Sequence, residues 1–217
     1  MTNAMRIDPI PSDEEILAFT KAVARPGFQE RMYEPAHRKD LRGRVQRLLA
    51  VLLPFAPRVL EVGCAEGLMS EWVAQRCDDA PALRARVVGV DFLAAGIKAC
   101  KARKIENARF EVMNLTELTP EFGEFDLVMA CDVLEHLRDP EAFMATARKL
   151  GRGILATTPI NEAPNPRAFS VEAAANPVTN GDGSGHIWCF REDTFRALFT
   201  EVWWYEDNRV TALIVGR

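Results

Sequence analysis

The chain has 217 residues, 48% of them hydrophobic and 27% charged, which is ordinary for a globular domain with enough apolar material for one sizeable core. A net charge of −4 and a pI near 5.5 argue against a surface built to coat nucleic acid, which depends on clustered Lys and Arg. Two basic runs, Arg42–Arg47 and Lys98–Lys104, lie in helical patterns and read as solvated helix faces.

Five cysteines (Cys64, Cys77, Cys100, Cys131 and Cys189) are an odd number with no Cys-x-x-Cys pair, the usage of reduced thiols in a cytoplasmic protein. The longest apolar run, Leu48–Leu60, is broken by Pro54 and Pro57 and carries Arg58, so it does not span a bilayer. The N-terminus lacks the basic-then-apolar pattern of a secretion signal.

In chain order, Ser12-x-x-Glu15 ahead of Ile16 and Leu17 forms a capping box and predicts a helix to about Ala24, where Arg25-Pro26-Gly27 stops it. Leu41, Val45, Leu48, Leu49 and Leu52, near 3.6-residue spacing, predict a second helix over Arg38–Leu53. Short apolar runs then alternate with amphipathic stretches of helix length. The runs are Arg58–Val62, Val87–Phe92, Arg109–Leu115, Phe125–Cys131 and Gly153–Thr158. Most are continuously apolar, as parallel strands covered on both faces must be, while the more polar Arg109–Leu115 suits an edge.

Asp139-Pro140 reads as an N-cap with proline at the first helical position, and Gly151 as the end of that helix. Arg191–Thr200 has a helical pattern. Glu201–Glu206 and Val210–Val215 are joined through Asp207-Asn208-Arg209, a gap that permits only an antiparallel hairpin. The expectation is an α/β fold: a Rossmann-like, doubly wound, mostly parallel seven-stranded sheet ending in an antiparallel hairpin, with N-terminal helices. Residues 1–57 read as a helical cap and 58–217 as the α/β unit. Within it, the irregular stretch 159–190 has the length of a functional lid, anchored at its far end by Ile187, Trp188 and Phe190.

The first strand runs into Glu61-Val62-Gly63-Cys64-Ala65-Glu66-Gly67 and then a helix near Leu68. Gly63 allows a sharp turn and close approach of a ligand, and the helix N-terminus suits an anionic group. Asp91 ends the next strand, where a carboxylate can accept both hydroxyls of a ribose.

Val59–Ser70 (VLEVGCAEGLMS), Val87–Phe92 (VVGVDF) and Phe125–Leu137 (FDLVMACDVLEHL) together resemble the landmarks of class I S-adenosylmethionine-dependent methyltransferases. The similarity runs from about Arg58 to Arg217 and is closest to the small-molecule O-methyltransferases that include those of ubiquinone biosynthesis. The resemblance implies S-adenosylmethionine as donor and S-adenosylhomocysteine as product. It places Gly63, Cys64 and Gly67 around the methionine half, with Glu61 steadying the loop. Asp91 would hold the ribose, Phe92 would lie against the adenine and Cys131 would approach the sulfonium, with Ala65, Asn114 and Leu115 as further cofactor-binding candidates. Asn114 stands where the family usually has Asp, and Ala65 where it usually has Gly. A nicotinamide-dependent reductase would instead require Gly-x-Gly-x-x-Gly, whereas the spacing here is Gly-x-x-x-Gly.

Methyl transfer from a sulfonium needs an aligned nucleophile and, for a hydroxyl, removal of its proton. His136 follows the strand Phe125–Cys131, and His186 lies in the 159–190 segment; these two are the candidate catalytic groups. Asp132, Glu135 and His136 are spaced i, i+3, i+4, so a helix there would place them on one face and, with His186, supply ligands for a divalent metal. That set resembles the Glu-x-x-Glu-His plus distant His of small-RNA 2′-O-methyltransferases, with Asp132 in place of the first Glu.

The expected partner is a small-molecule acceptor with a phenol, sugar or natural-product hydroxyl, with neither nucleic acid nor membrane involved. The alternatives are a metal-dependent RNA 2′-O-methyltransferase and a non-catalytic module that keeps the fold. Trp203, Trp204 and Tyr205 read as core or sheet-face packing, and Tyr33 and His37 as helix packing or a fold over the cofactor.

Overall fold

A computed structural model describes residues 5–6, 11–12, 14–15, 18, 36–52, 58–75, 86–162, 185–207 and 211–217. In chain order its elements are β1 (Met5–Arg6), α1 (Ala36–Leu52), β2 (Arg58–Val62), α2 (Leu68–Gln75), β3 (Arg86–Asp91), α3 (Ala94–Ala102), β4 (Ala108–Val112), β5 (Phe125–Cys131), α4 (Pro140–Leu150), β6 (Gly151–Pro159), β7 (Trp188–Cys189), α5 (Glu192–Arg196), β8 (Val202–Asp207) and β9 (Thr211–Gly216). Tyr33, and the segment 163–184 inside the expected lid, lie outside the described residues, as does the side chain of His37.

Seven strands form one sheet in the order β4-β3-β2-β5-β6-β9-β8, parallel from β4 through β6 and antiparallel at β9 and β8. The strand alternation sorts the core into two layers. Leu60, Val62, Val128, Ala130, Ile154 and Ile214 pack on the face covered by Phe143, Met144 and Ala147 of α4 and Phe195 of α5. Val59, Leu127, Met129, Leu155 and Leu213 pack on the other face, against Val45 and Leu49 of α1 and Met69 and Val73 of α2. The expected doubly wound sheet with its terminal hairpin is present. The Ser12–Glu15 capping box is formed too, with Glu15 N–H donating to Ser12 Oγ at 3.2 Å and Ser12 N–H to Glu15 Oε2 at 2.7 Å.

Several boundaries differ from the sequence expectation, each for a local reason. β4 stops at Val112 rather than reaching Leu115, because the Asn114 side chain accepts from Thr116 N–H at 3.1 Å and starts a short 3-10 turn, Leu115–Glu117. Helix α5 covers only Glu192–Arg196. Past Ala197 its amides bond back in tight turns, and the N–H groups of Thr200 and Glu201 donate to Arg217 O at 2.6 and 3.0 Å. Trp203 and Trp204 are half exposed, 53% and 51%, rather than core. The pairing slips between Val202 and Trp204 on this edge strand, and the Trp203 indole lies over Gly153. The strand β1, antiparallel to β7, was not expected from the sequence.

The helix α4 has the expected cap, with Asp139 accepting from Ala142 N–H at 2.9 Å and Pro140 at the first position. Gly151 does not close it in a left-handed conformation: its φ of −121° and ψ of 146° are those of a strand, and β6 begins there without a loop. Glycine is required for space, since a Cβ would sit 2.6 Å from Val128 Cγ2. Gly151→Ala should therefore cost about 1–3 kcal/mol through overpacking, lowering Tm by roughly 2–4 °C per kcal/mol; an unchanged Tm in thermal denaturation would contradict this packing.

Glu61 is 3% exposed within β2 and accepts a hydrogen bond from Ser70 Oγ in α2, so it ties the strand to the helix that follows the glycine turn. Burial pushes its carboxyl up to about 7, against the opposing hydrogen bond from Ser70. The folded state then holds a proton that the unfolded chain releases from about 4.5 upward, so this group's contribution to stability falls as pH rises towards 7. Glu61→Gln keeps an acceptor for Ser70 and removes the titration. Its Tm, relative to wild type, should be higher at pH 8 than at pH 5, and an equal difference at both values would rule out the linkage.

Candidate active site

The strand order reverses between β2 and β5, and ligands of open α/β sheets bind beyond the carboxyl ends at such a point. Beyond β2 the chain passes through three left-handed residues, Gly63 (φ 67°), Ala65 (φ 47°) and Gly67 (φ 78°). A Cβ on Gly63 would lie 2.7 Å from Val133 Cγ2, and one on Gly67 would lie 2.9 Å from Cys100 Sγ, so both positions are glycine for space as well as for φ. Ala65 carries a side chain where the backbone favours glycine, at a cost on the order of 1 kcal/mol.

The turn is held from several sides. Cys64 N–H donates to Val90 O at 3.1 Å, and Gly67 N–H to Cys64 O at 2.8 Å. Asp91, 6% exposed, accepts from Ala65 N–H at 2.9 Å and from Leu93 N–H at 2.8 Å. Burial moves the Asp91 carboxyl upward, and these two amides oppose the shift. Arg103 donates from Nε to Glu66 O at 2.9 Å and from Nη1 to Glu71 at 2.7 Å. Gly96 of α3 lets that helix approach Ala65, whose carbonyl oxygen would sit 2.6 Å from an added Cβ. These supports were not read from the sequence: Arg103 lies in the basic run Lys98–Lys104, expected as a solvated helix face, Val133 lies in the Phe125–Leu137 motif without an assigned role, and Gly96 belongs to no motif.

The Cys64 side chain turns away from the loop's open side and is fully buried with Ile97, Cys100 and Phe110. A hydrogen bond with Cys100 and burial raise its thiol far above the ordinary range. Phe92 is 41% exposed just past Asp91, at the rim where an aromatic ring could cover a base. Asn114 and Leu115 lie in the 3-10 turn beyond β4, on the same sheet edge. Cys131 ends β5, and burial holds its thiol well above the ordinary value.

Beyond β5 the chain makes a 3-10 turn, Leu134–His136, rather than the α-helix from Asp132 that the spacing suggested. Asp132 is left-handed (φ 53°), and its carboxylate accepts from Thr157 Oγ1 of β6 at 2.9 Å, while its N–H donates to Thr157 O. That anchorage leaves Asp132 out of the cluster formed by its neighbours.

Glu135, His136 and His186 each offer one ligand atom within 4.8 Å of the others'. The two imidazole rings are 4.9 Å apart. His136 Nδ1 lies 2.8 Å from Gly185 O, and His186 Nδ1 lies 2.5 Å from Glu162 Oε2. Glu135 is 1% exposed and accepts from Thr158 Oγ1 at 3.0 Å, whereas its Oε1 has no hydrogen-bond partner among the described residues. Burial pushes the Glu135 carboxyl up to about 8, with Asp132 adding to the shift and His186 opposing it.

The expected far anchor of the 159–190 segment is present. Ile187 and Phe190 are fully buried, Ile187 N–H donates to Glu135 O at 2.7 Å, and Ile160 bridges to Phe190.

Comparison with known proteins bears on what this edge holds. A family model described as a methyltransferase domain matches residues 30–202. A ubiquinone biosynthesis O-methyltransferase of Xanthomonas axonopodis pv. citri (strain 306) is 31% identical over 137 residues, 60% of this chain and 54% of that protein. The chain thus spans about half the length of that relative. A ubiquinone biosynthesis O-methyltransferase of Cereibacter sphaeroides (strain ATCC 17029 / ATH 2.4.9) is 27% identical over 187 residues, 79% of this chain and 70% of that one.

Among solved structures, a DhpI complex with S-adenosylhomocysteine (SAH) superposes with a TM-score of 0.66 at 17% identity, covering 95% of this chain and 98% of the other. The N-methyltransferase NodS of Bradyrhizobium japonicum WM9, also complexed with S-adenosylhomocysteine, gives 0.60 at 14% identity over 94% and 97%. The sheet order, the glycine turn with its following acid, and the family match lead to one assignment: the chain belongs to the methyltransferase domain family, as a class I S-adenosylmethionine-dependent member.

Proposed function

We propose that the protein transfers a methyl group from S-adenosylmethionine to an oxygen of a small-molecule acceptor, and that Glu135, His136 and His186 meet the acceptor, with a divalent cation held among them. The observation that carries this reading is the contact of Val133 with Gly63, which sets the three-residue cluster directly beside the glycine turn. The bound donor supplies a methyl group on a positive sulfur. Asp91 retains accepting capacity for ribose hydroxyls beyond its two amide bonds, and the exposed Phe92 ring lies beside it. The O-methyltransferases of Xanthomonas and Cereibacter support oxygen as the acceptor atom.

The cluster suits the acceptor's proton. A histidine that donates through Nδ1 to a carbonyl keeps its lone pair at Nε2, and His136 has Gly185 O at that distance. Oriented imidazoles beside a buried carboxylate oxygen that has no hydrogen-bond partner among the described residues are also a donor set for a divalent ion. Such an ion lowers the pKa of a bound hydroxyl. Asp132, taken up by Thr157, is outside this ligand set.

A second reading, methylation of the 2′-hydroxyl at an RNA end, is favoured by the same donor cluster and opposed by the net charge of −4. The two separate cleanly: with labelled S-adenosylmethionine, phenols and sugar hydroxyls should take up label, and label found only in an RNA oligonucleotide would establish the second.

Two predictions test the assignments. Asp91→Ala should weaken S-adenosylhomocysteine binding by about 1.5–3 kcal/mol, the range for a hydrogen bond to a charged group; undiminished affinity by calorimetry sinks the ribose role. A chelator should abolish methyl transfer and added Mn²⁺ restore it, while Glu135→Gln should lose turnover and keep its affinity for S-adenosylhomocysteine. Full activity in the chelator contradicts the cation.

A further inference from the structure

We infer that Glu162, outside every motif of the sequence, is the positioning residue for His186: its carboxylate fixes the imidazole so that the other ring nitrogen serves the cluster with Glu135 and His136. This rests on the reading of those three residues as a cation site. The geometry is specific. β6 ends at Pro159, Ile160 bridges to Phe190, and Asn161 donates its N–H to Phe190 O at 2.8 Å. Asn161 is left-handed (φ 64°), and the chain then presents Glu162 Oε2 to His186 Nδ1 at 2.5 Å, within hydrogen-bonding reach.

His186 is 7% exposed, with the His136 ring 4.9 Å away, while the Glu162 side chain stays 40% exposed. Nδ1–H donated to a carboxylate fixes the tautomer, leaves the Nε2 lone pair as the ligand and raises its basicity. A metal-bound histidine characteristically has such an outer partner, and losing it typically weakens metal affinity 10–100-fold. His136 has the weaker version of the same arrangement, with a backbone carbonyl, Gly185 O, at its Nδ1. Removing a side chain can test the carboxylate partner but not the carbonyl.

The test is a titration of the full chain with Co²⁺ alone, followed by its visible absorption, in wild type, Glu162→Gln, Glu162→Ala and Glu162→Asp. Wild type should bind Co²⁺, Glu162→Gln should bind it about 10–100-fold more weakly, and Glu162→Asp should recover affinity relative to Glu162→Ala. All four should bind S-adenosylhomocysteine equally, which separates positioning from loss of fold. If Glu162→Gln binds Co²⁺ as wild type does, the role of Glu162 is overturned and the cation site stands. If wild type takes up no Co²⁺, the cation site is overturned and the inference falls with it. Should Glu162→Gln fail to fold, the order of Glu162→Asp and Glu162→Ala decides: equal affinities overturn the role.

Discussion

The Asp91 carboxylate, holding the amides of Ala65 and Leu93 at 2.9 and 2.8 Å, is the interaction on which the cofactor edge depends. It ends β3 and reaches sideways to the turn that ends β2, so two adjacent strands are locked together where a ligand would enter. The turn needs such support. Three of its residues are left-handed, and one of them, Ala65, is not glycine. Strain of this kind persists only where the surroundings over-determine it. Here the surroundings are Asp91, the Val90 carbonyl, Arg103 and the close approach of α3 at Gly96.

The same edge carries a second half, built differently. Val133 fills the space that a Gly63 side chain would need, and the turn it begins delivers Glu135 and His136. Their partner His186 comes from the far end of a segment that leaves β6 after Pro159 and returns at β7. The return is fixed by apolar anchors, Ile187 and Phe190, and by the bond from Ile187 N–H to Glu135 O. Long-range burial thus sets the distance between His136 and His186, which are 50 residues apart in the chain. Under the proposed function this division has a use: the first half would hold the common cofactor, and the second would be free to vary with the acceptor.

The sheet was legible because its signals are local. Continuous apolar runs spaced by helical patterns require a parallel sheet, and the short Asp207-Asn208-Arg209 gap requires a hairpin. The glycine turn and Asp91 were legible for the same reason, as one contiguous motif and one strand end. What escaped depends on tertiary contacts. The spacing of Asp132, Glu135 and His136 fits an α-helical face, yet the backbone there is a 3-10 turn because Asp132 bonds to Thr157 on the neighbouring strand. Gly151 ends the helix as read, but what demands glycine there is the space beside Val128. Glu162 has no sequence signature, because its role comes from a bridge between Ile160 and Phe190. Cys64 sits in the loop by sequence, yet its thiol is buried behind it.

If the proposed function holds, one continuous site runs from the Asp91 carboxylate past the glycine turn to the Glu135, His136 and His186 cluster. A crystal structure of the protein with S-adenosylhomocysteine is the most direct test. It should show ribose hydroxyls on Asp91, the amino-acid end against the turn at Gly63–Gly67, and the sulfur facing the open space beside His136. A ligand whose sulfur faces away from that cluster, or one bound elsewhere on the chain, would contradict it.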